Sequence, residues 1–243
     1  MSKPTLVLLH GVGLDRTMWE PTAELVADRF TLVTPDLPGH GRNDPAPAGT
    51  TLRDLALGVA AEIPEGSHLV GFSLGALVAQ YLALHRPDRV ATLTSVSSVC
   101  RRTPAERAEV LKRLDAARAD FRAATAASLR RWYAGTDVAA EWVRRTEATL
   151  LANDVGSFRA CYRVFATADA EIGPALPRIT TPAVAVTGEN DPGSTPEMTR
   201  RLAAALPNCR SVVVPEARHM LPVQRPEALV DCFTTLIRDN THG

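Results

Sequence analysis

Short runs of apolar residues recur along the chain, and each run has the length of a β-strand rather than of a helix. Apolar residues occupy both faces of these runs, a pattern that is typical of strands buried in a parallel sheet. The runs predict strands at residues 5–9, 30–34, 68–71, 90–96, 183–187 and 211–214.

Segments with helical spacing of apolar residues lie between several of these runs. In residues 74–85 and 226–238 the large apolar side chains are three or four positions apart, and Pro226 is well placed in the first turn of the second segment. Strands that alternate with helices predict an α/β fold, with a mostly parallel sheet covered by helices on both faces.

This alternation stops between residues 100 and 178. The stretch is rich in Ala and Arg, has helical character throughout and contains no convincing strand. We expect an α/β core formed by residues 1–99 and 179–243. Residues 100–178 are expected to form a helical lid, or cap, inserted over the carboxyl edge of the sheet.

Composition and charge exclude several classes of protein. The chain has 243 residues, of which 45% are hydrophobic and 22% charged, as in an ordinary globular domain. The 27 Lys and Arg residues balance 27 Asp and Glu residues, and a net charge of zero does not favour nucleic-acid binding. No apolar run approaches the roughly 18 residues of a membrane span, and the first residues lack the features of a signal peptide. We therefore expect a cytoplasmic protein that binds neither nucleic acid nor membranes.

The four cysteines, Cys100, Cys161, Cys209 and Cys232, are far apart in the sequence. Disulfide scaffolds concentrate cysteines in a shorter chain, and zinc sites need cysteines closer together or near histidines. We expect four reduced, mostly buried thiols.

The sequence Gly71-Phe-Ser-Leu-Gly75 joins a predicted strand to a predicted helix. A sharp turn between these elements would hold Ser73 in a strained conformation with its hydroxyl exposed, as a nucleophile requires. The helix that follows would bring free N–H groups to the same place. The alternative interpretation is a serine that caps a helix after a glycine turn.

A serine hydroxyl needs a base, and His219 is the best placed of the six histidines. It follows the strand at 211–214, in a loop at the sheet edge where open α/β sheets bind their ligands. An acid must then orient the imidazole, and Asp191 follows the strand at 183–187 in the same way. Three other carboxylates are alternatives to Asp191: Glu189 nearby, and Asp154 and Asp169 at a greater distance.

An oxyanion would also need two hydrogen-bond donors. The glycines of His10-Gly-Val-Gly13 let the loop after the first strand turn back, so that the N–H of Val12 can face the site beside the N–H of Leu74. We expect His10 to stabilise this loop by hydrogen bonding rather than to carry a proton.

Five motifs together make the sequence similar to the α/β-hydrolase superfamily. They are HGVG at 10–13, PDLPGHGR at 35–42, GFSLG at 71–75, GEND at 188–191 and RH at 218–219. The resemblance implies an α/β-hydrolase fold in which Ser73 is the nucleophile, Asp191 the acid and His219 the base, with no cofactor. Members often begin with an additional antiparallel strand pair. Because His10 lies so near the start here, we expect a shortened sheet of about six strands.

Within the superfamily, the sequence most resembles 3-oxoadipate enol-lactone hydrolases and short carboxylesterases, including those that act on pimeloyl esters. Residues 14–19 and the acid loop at 188–196 carry this resemblance. It implies a substrate with a second carboxylate, which the forked guanidinium of a lid arginine could bind. The candidates are Arg122, Arg130, Arg131, Arg144, Arg145, Arg159 and Arg163. Of these, Arg159 and Arg163 lie one helical turn apart and are expected to bind one ligand together.

We predict a serine hydrolase that cleaves a small carboxylic ester or lactone through an acyl-enzyme, with a small molecule as its partner and no metal or organic cofactor. Phe72 stands where carbon–carbon bond hydrolases of the superfamily usually have Asn, which makes that reaction less favoured. Ser73 itself excludes the dehalogenases and epoxide hydrolases, which have Asp there. An amidase, a carbon–carbon bond hydrolase, a cofactor-free perhydrolase and a small-molecule receptor without turnover are the alternatives. The sequence does not indicate an oligomeric state.

Overall fold

Six parallel strands form one sheet in the computed structural model of the chain, which describes residues 3–240. The strands are β1 (Thr5–Leu9), β2 (Thr31–Val33), β3 (Ser67–Phe72), β4 (Val90–Val96), β5 (Ala183–Gly188) and β6 (Cys209–Val214). Each of them coincides with one of the predicted apolar runs. The structure therefore confirms the α/β class and the expected number of strands.

The order of the strands places helices on both faces of the sheet. The order is β2-β1-β3-β4-β5-β6, so the chain reverses its direction across the sheet after β2. The helices outside the β4–β5 connection are α1 (Glu20–Glu24), α2 (Leu52–Ala60), α3 (Leu74–His85), α8 (Pro196–Ala205), α9 (Leu221–Gln224) and α10 (Pro226–Asn240). Because crossovers between parallel strands are right-handed, α1 covers one face, where it packs with α10, and α2, α3 and α8 cover the other. A crevice opens between the carboxyl ends of β1 and β3, where the order reverses.

Local sequence signals set the beginnings of several helices. Thr51 and Asp54 form a reciprocal capping box at the start of α2, in which each side chain accepts a hydrogen bond from the other residue's backbone N–H. Pro196 and Pro226 occupy the first turns of their helices, where a missing N–H costs nothing. Pro226 is the signal that the sequence analysis used, and α10 begins at that residue.

The connection between β4 and β5 is helical. It contains four helices, α4 (Pro104–Ala119), α5 (Phe121–Tyr133), α6 (Ala140–Leu151) and α7 (Val155–Ile172), followed by the short 3-10 helix Gly173–Arg178. We call α4–α7 the cap helices. Buried Asp169 on α7 pairs with Arg102 at 2.8 Å and with Arg107 at 3.0 Å, and Arg101 donates to the carbonyl of Gly173 at 3.0 Å. The two ends of the connection are thus tied together.

The core includes β1 and β3, which are neighbours in the interior of the sheet. Leu6, Leu8 and Leu9 are fully buried, and all six residues of β3 are buried. Burial on both faces explains why these strands appear as continuous apolar runs instead of alternating ones. Within residues 3–240, no helix combines the length and the apolar character needed to cross a membrane.

The four cysteines are free thiols, and three of them are buried. Burial raises the pKa of Cys100 to about 11 and the pKa of Cys161 and of Cys209 to about 12. Thiols with such pKa values carry almost no thiolate at neutral pH, so they act as apolar packing groups.

Two buried histidines hold together the loops that follow β1 and β2. The N–H of Leu37 donates to Nε2 of His10 at 2.8 Å, while Nδ1 of His10 donates to the carbonyl of Gly11 at 2.8 Å. The ring of His40 lies 5.1 Å from that of His10, and its Nδ1 donates to the carbonyl of Pro38 at 3.1 Å. Burial lowers the pKa of both histidines, that of His40 to about 3 with a further contribution from the neighbouring His10. Both rings are therefore neutral in the folded protein.

This burial predicts a loss of stability in mild acid. The unfolded chain binds a proton at His40 below its ordinary pKa of 6.5, whereas the folded protein excludes that proton down to about pH 3. The contribution of His40 is therefore complete above pH 6.5 and is lost as the pH falls from 6.5 toward 3. We expect His40 to account for about 1.4 kcal/mol of unfolding free energy per pH unit in this window.

Urea unfolding at several pH values between 7 and 4 measures this dependence. His40→Asn keeps a donor near the Pro38 carbonyl but cannot be protonated, so the slope of unfolding free energy against pH should become shallower. His85→Asn, at an exposed position at the end of α3, is the matched control and should keep the original slope. Equal slopes in the two variants would contradict the prediction.

Candidate active site

Ser73 lies at a sharp turn between the end of β3 and the start of α3. Its backbone has φ 54° and ψ −109°, a conformation that non-glycine residues rarely adopt. The N–H of Ser73 donates to the carbonyl of Val96 at 2.9 Å, which fixes the turn against the neighbouring strand. The turn is therefore the strained strand-to-helix geometry that presents a serine side chain above the sheet edge.

Glycine at two positions lets neighbouring segments approach this turn. A Cβ atom on Gly75 would clash with the backbone oxygens of Leu9 and His10, so α3 can lie this close to the end of β1 only without a side chain there. A Cβ atom on Gly11 would lie 2.8 Å from the Phe72 ring and 3.3 Å from Cβ of Ser73. The loop after β1 is thus packed directly against Ser73.

Asp191 and His219 form a buried hydrogen-bonded pair at the ends of β5 and β6. Nδ1 of His219 lies 2.7 Å from Oδ2 of Asp191. The other oxygen, Oδ1, accepts the backbone N–H groups of Gly193 and Ser194, each at 2.9 Å. These hydrogen bonds fix the orientation of the carboxylate, which can accept from a protonated Nδ1 of His219. Nε2 is then left as the basic nitrogen.

The alternative carboxylates have other partners. Glu189 accepts the N–H of Glu216 at 3.0 Å, and Asp154 caps the start of α7 by accepting the N–H of Ser157 at 2.8 Å. Asp169 is the partner of Arg102 and Arg107 at the base of the cap helices. The structure therefore brings Asp191, and none of these three, to His219.

Two aromatic rings enclose the imidazole of His219. The Phe72 ring lies 4.9 Å from it, next to Ser73 in the sequence, and the indole of Trp132 on α5 stacks on it at 5.4 Å with an interplanar angle of 27°. Ser73 and His219 are only 3% and 5% exposed, so the cap helices cover the site in this structure. Sequence reasoning missed Trp132, because nothing in its local pattern distinguishes it from an ordinary core position of an amphipathic helix.

Ser97, just after β4, is a second residue that sequence reasoning missed. It has a φ of 46°, is fully buried, and its hydroxyl donates to the carbonyl of His219 at 3.1 Å. The N–H of Leu221 donates to the same carbonyl at 2.8 Å. The backbone of His219 is therefore held from two sides. A serine after a buried strand has no sequence signature that would have indicated this role.

The two expected oxyanion donors lie on either side of Ser73. Leu74 is the first residue of α3, so its N–H has no partner within the helix and points out of the helix start. Val12 lies in the loop that Gly11 packs against Ser73, and it lines a cavity beneath the cap helices. Both residues therefore flank the crevice between β1 and β3.

The cavity that Val12 lines extends from the crevice into the cap helices. Its volume is about 60 Å³, enough for a few water-sized positions. Its walls are mainly apolar and include four aromatic residues: Phe121, Trp132, Phe158 and Tyr162. Because Trp132 also stacks on His219, the cavity adjoins the candidate catalytic groups.

Arg159 and Arg163 lie elsewhere. Both line a separate groove on α7, together with Arg118 and Asp115 on α4, and this groove shares no lining residue with the cavity at Val12. Arg163 is exposed. Their spacing does put them on one face of the helix, but that face is turned away from Val12. The placement therefore does not favour the carboxylate-binding role expected for this pair.

The site is composed of ordinary side chains. In the part of the chain that the structure describes, no group of three or more His, Cys, Asp and Glu residues is arranged to hold a metal ion. A strained serine, a hydrogen-bonded His–Asp pair and free N–H groups at a helix start are the elements of nucleophilic acyl transfer.

Comparisons with known proteins agree with this chemistry. A family model described as the alpha/beta hydrolase family matches residues 6–232. The chain is 29% identical over 226 residues to (E)-2-((N-methylformamido)methylene)succinate hydrolase of Acinetobacter baylyi, covering 91% of this chain and 86% of that protein. It is 31% identical over 233 residues to the pimeloyl-[acyl-carrier protein] methyl ester esterase of Edwardsiella ictaluri, covering 93% of this chain and 90% of that protein.

A solved structure shows the same architecture. The enol-lactonase of Burkholderia xenovorans is 23% identical to this chain and has a TM-score of 0.84, with 98% of this chain and 92% of that chain covered. At this level of identity the likeness concerns the fold. It confirms the α/β-hydrolase fold expected from the motifs.

The His219–Asp191 hydrogen bond predicts an NMR signature. A proton held between an imidazole nitrogen and a buried carboxylate resonates far downfield, so the wild-type protein should show one such resonance from Nδ1 of His219. Asp191→Asn removes the carboxylate and should abolish the resonance. Glu189→Gln, two residues away in the same loop, is the control and should retain it. Loss of the resonance in Glu189→Gln alone would show that Glu189, not Asp191, is the partner of His219.

Proposed function

The chain belongs to the alpha/beta hydrolase family, and on that basis we propose that it is a serine hydrolase that cleaves a small carboxylic ester or lactone through an acyl-enzyme. The observation that carries the proposal is the 2.7 Å hydrogen bond between His219 and Asp191, next to the strained turn at Ser73. A structural serine would need neither the strain nor a buried base beside it.

In the first half of the reaction, Oγ of Ser73 attacks the carbonyl carbon of the ester, and the hydroxyl proton passes to Nε2 of His219. Asp191 stabilises the imidazolium that forms and keeps its orientation. The N–H groups of Val12 and Leu74 donate hydrogen bonds to the oxyanion of the tetrahedral intermediate, each contributing about 3 to 4 kcal/mol by analogy with a measured case. The carbon–oxygen bond to the leaving group then breaks, and His219 returns the proton to the departing alkoxide.

The second half of the reaction repeats these steps with water. His219 removes a proton from a water molecule as its oxygen attacks the acyl carbon, and the bond to Oγ breaks. His219 gives this proton to Oγ as it leaves, so the products are a carboxylic acid and a regenerated Ser73. In a lactone the alcohol and the acid remain in one molecule, so ring opening uses the same groups. Only side chains, backbone N–H groups and water take part.

One of the two relatives, the pimeloyl-[acyl-carrier protein] methyl ester esterase, supports an ester substrate. The other acts on a succinate that carries an N-methylformamido group, which is an amide.

We assign residues 100–178 as a lid that excludes water from the reaction. The cap helices leave Ser73 only 3% exposed, so substrate entry requires them to move. Trp132 on α5 is the part of the lid that touches His219. A closed lid lowers the local dielectric constant, which strengthens the interactions of Asp191 and the oxyanion donors.

The first test is the hydrolysis of p-nitrophenyl acetate at pH 7.5. The wild-type protein should give a burst of p-nitrophenolate followed by steady turnover, and mass spectrometry of the quenched protein should find an acetyl group on Ser73. Ser73→Ala should lose the burst and at least about 10⁴-fold in kcat. A burst without turnover would favour a receptor, and Ser73-independent hydrolysis would refute the proposed nucleophile.

The lid assignment predicts an effect of the Trp132 indole on catalysis. Trp132→Leu keeps an apolar side chain but removes the ring that restrains and covers His219, so kcat should fall about 10-fold. Trp142→Leu, on neighbouring α6, is the matched control because Trp142 contacts Arg145 and not His219. Equal losses in the two variants would indicate a general effect on lid packing rather than a contact with His219.

A further inference from the structure

The loop between β6 and α9, residues 215–220, carries His219, and we call it the histidine loop. Two consecutive residues of this loop contact two consecutive residues of α5. Trp132 stacks on the ring of His219 at 5.4 Å, and Nη1 of Arg218 donates to the carbonyl of Arg131 at 3.0 Å. Within residues 3–240, these two contacts are the hydrogen bonds and ring contacts that join α5 to the α/β core. The segment that holds the imidazole therefore also holds this cap helix.

The carbonyl that Arg218 binds is at the end of a helix. Arg131 lies in the last turn of α5, which ends at Tyr133. Carbonyl groups in a last turn have no N–H partner within the helix and carry the negative end of the helix dipole, so a cationic donor is favourable there. Because Arg218 is half-buried, water competes less for its guanidinium than at an exposed position. Arg218 thus caps α5 from 87 positions away in the chain.

The backbone of the histidine loop is held without the side chain of Arg218. The N–H of Arg218 donates to Oε1 of Gln224 at 2.7 Å, and the carbonyl of Ala217 accepts the N–H of Asn190 at 2.8 Å. Shortening the Arg218 side chain therefore removes the contact with α5 and leaves these bonds in place.

Other ion pairs join the cap to the core without involving α5. Arg201 on α8 pairs with Glu106 on α4 at 2.8 Å, and Arg225 pairs with Asp137, in the connection after α5, at 2.8 Å. The second pair is exposed, so water and salt screen it. Among these arginines, Arg218 makes the direct link between α5 and the histidine loop.

We propose that Arg218 is a positioning residue that couples the cap to the catalytic base. While its guanidinium holds the end of α5, the adjacent Trp132 is kept on the ring of His219, and both contacts are lost together when α5 moves away. Arg218 touches no reacting atom and acts through Trp132. This inference rests on the proposed hydrolase function and adds a residue that makes the orientation of His219 depend on closure of the cap.

A double-mutant cycle with p-nitrophenyl acetate tests the coupling. Arg218→Met keeps an unbranched side chain but removes the donor, so kcat should fall about 10-fold, the size expected for loss of a charge-assisted hydrogen bond. Because Arg218 acts through Trp132, combining Arg218→Met with Trp132→Leu should lower kcat by no more than about 3-fold beyond either single variant. Independent effects would instead multiply to about 100-fold.

Two further variants distinguish coupling from general damage to the fold. Arg218→Lys retains a cationic donor and should recover most of the lost kcat. Arg201→Met removes an ion pair between cap and core away from α5, and kcat should stay within about 2-fold of wild type. A loss of about 100-fold in the double variant, or equal losses in Arg218→Met and Arg201→Met, would overturn the inference.

Hydrogen exchange separates this inference from the proposed reaction. If the wild-type protein does not hydrolyse the ester, the proposed function fails, and the link between Arg218 and α5 is then judged by backbone amide exchange. Arg218→Met should speed exchange about 5-fold or more in peptides from residues 121–133 and leave peptides from α7 unchanged. Arg201→Met should leave the exchange of residues 121–133 unaltered. Equal exchange of residues 121–133 in wild type and Arg218→Met would overturn the inference, even if kcat falls.

Discussion

Ser73 is held in a left-handed backbone conformation that costs on the order of 1 to 3 kcal/mol, and the surrounding structure is arranged to maintain it. The turn follows the buried strand β3, and the N–H of Ser73 donates to the carbonyl of Val96 on β4. Gly75 lets α3 pack closely against the end of β1. Because backbone packing in the sheet fixes the turn, the position of the serine does not depend on the cap helices. The proposed nucleophile is therefore positioned independently of the proposed lid.

The parallel sheet converts separate stretches of sequence into one site. All six strands present their carboxyl ends at the same edge, and each of the loops after β1, β3, β4, β5 and β6 contributes a group there. Asp191 and His219 meet across adjacent strands, while Ser97 from β4 supports the His219 carbonyl. The reversal of strand order between β1 and β3 opens the crevice into which the proposed oxyanion donors project.

Helix α5 of the cap contacts His219 and also lines the cavity at Val12. On α5, Trp132 covers His219 and the adjacent Arg131 borders the cavity, while the side chain of Arg218, next to His219, donates to the carbonyl of Arg131 at 3.0 Å. The buried Arg102–Asp169 pair closes the base of the cap and limits how far its helices can separate there.

The sequence alone determined the strands, the position of Ser73 at a strand–helix turn, and the placement of Asp191 and His219 after strands. These are local properties: a strand buried on both faces has to be apolar throughout, and a sharp turn needs glycine. Helical spacing also showed that Arg159 and Arg163 share a face of one helix, but it could not show which part of the protein that face contacts. Which face of a cap helix is turned toward the candidate site depends on contacts between residues far apart in the chain. Only the tertiary structure could therefore bring Trp132 onto His219 and place Arg131, rather than Arg159, at the cavity that Val12 and Trp132 line.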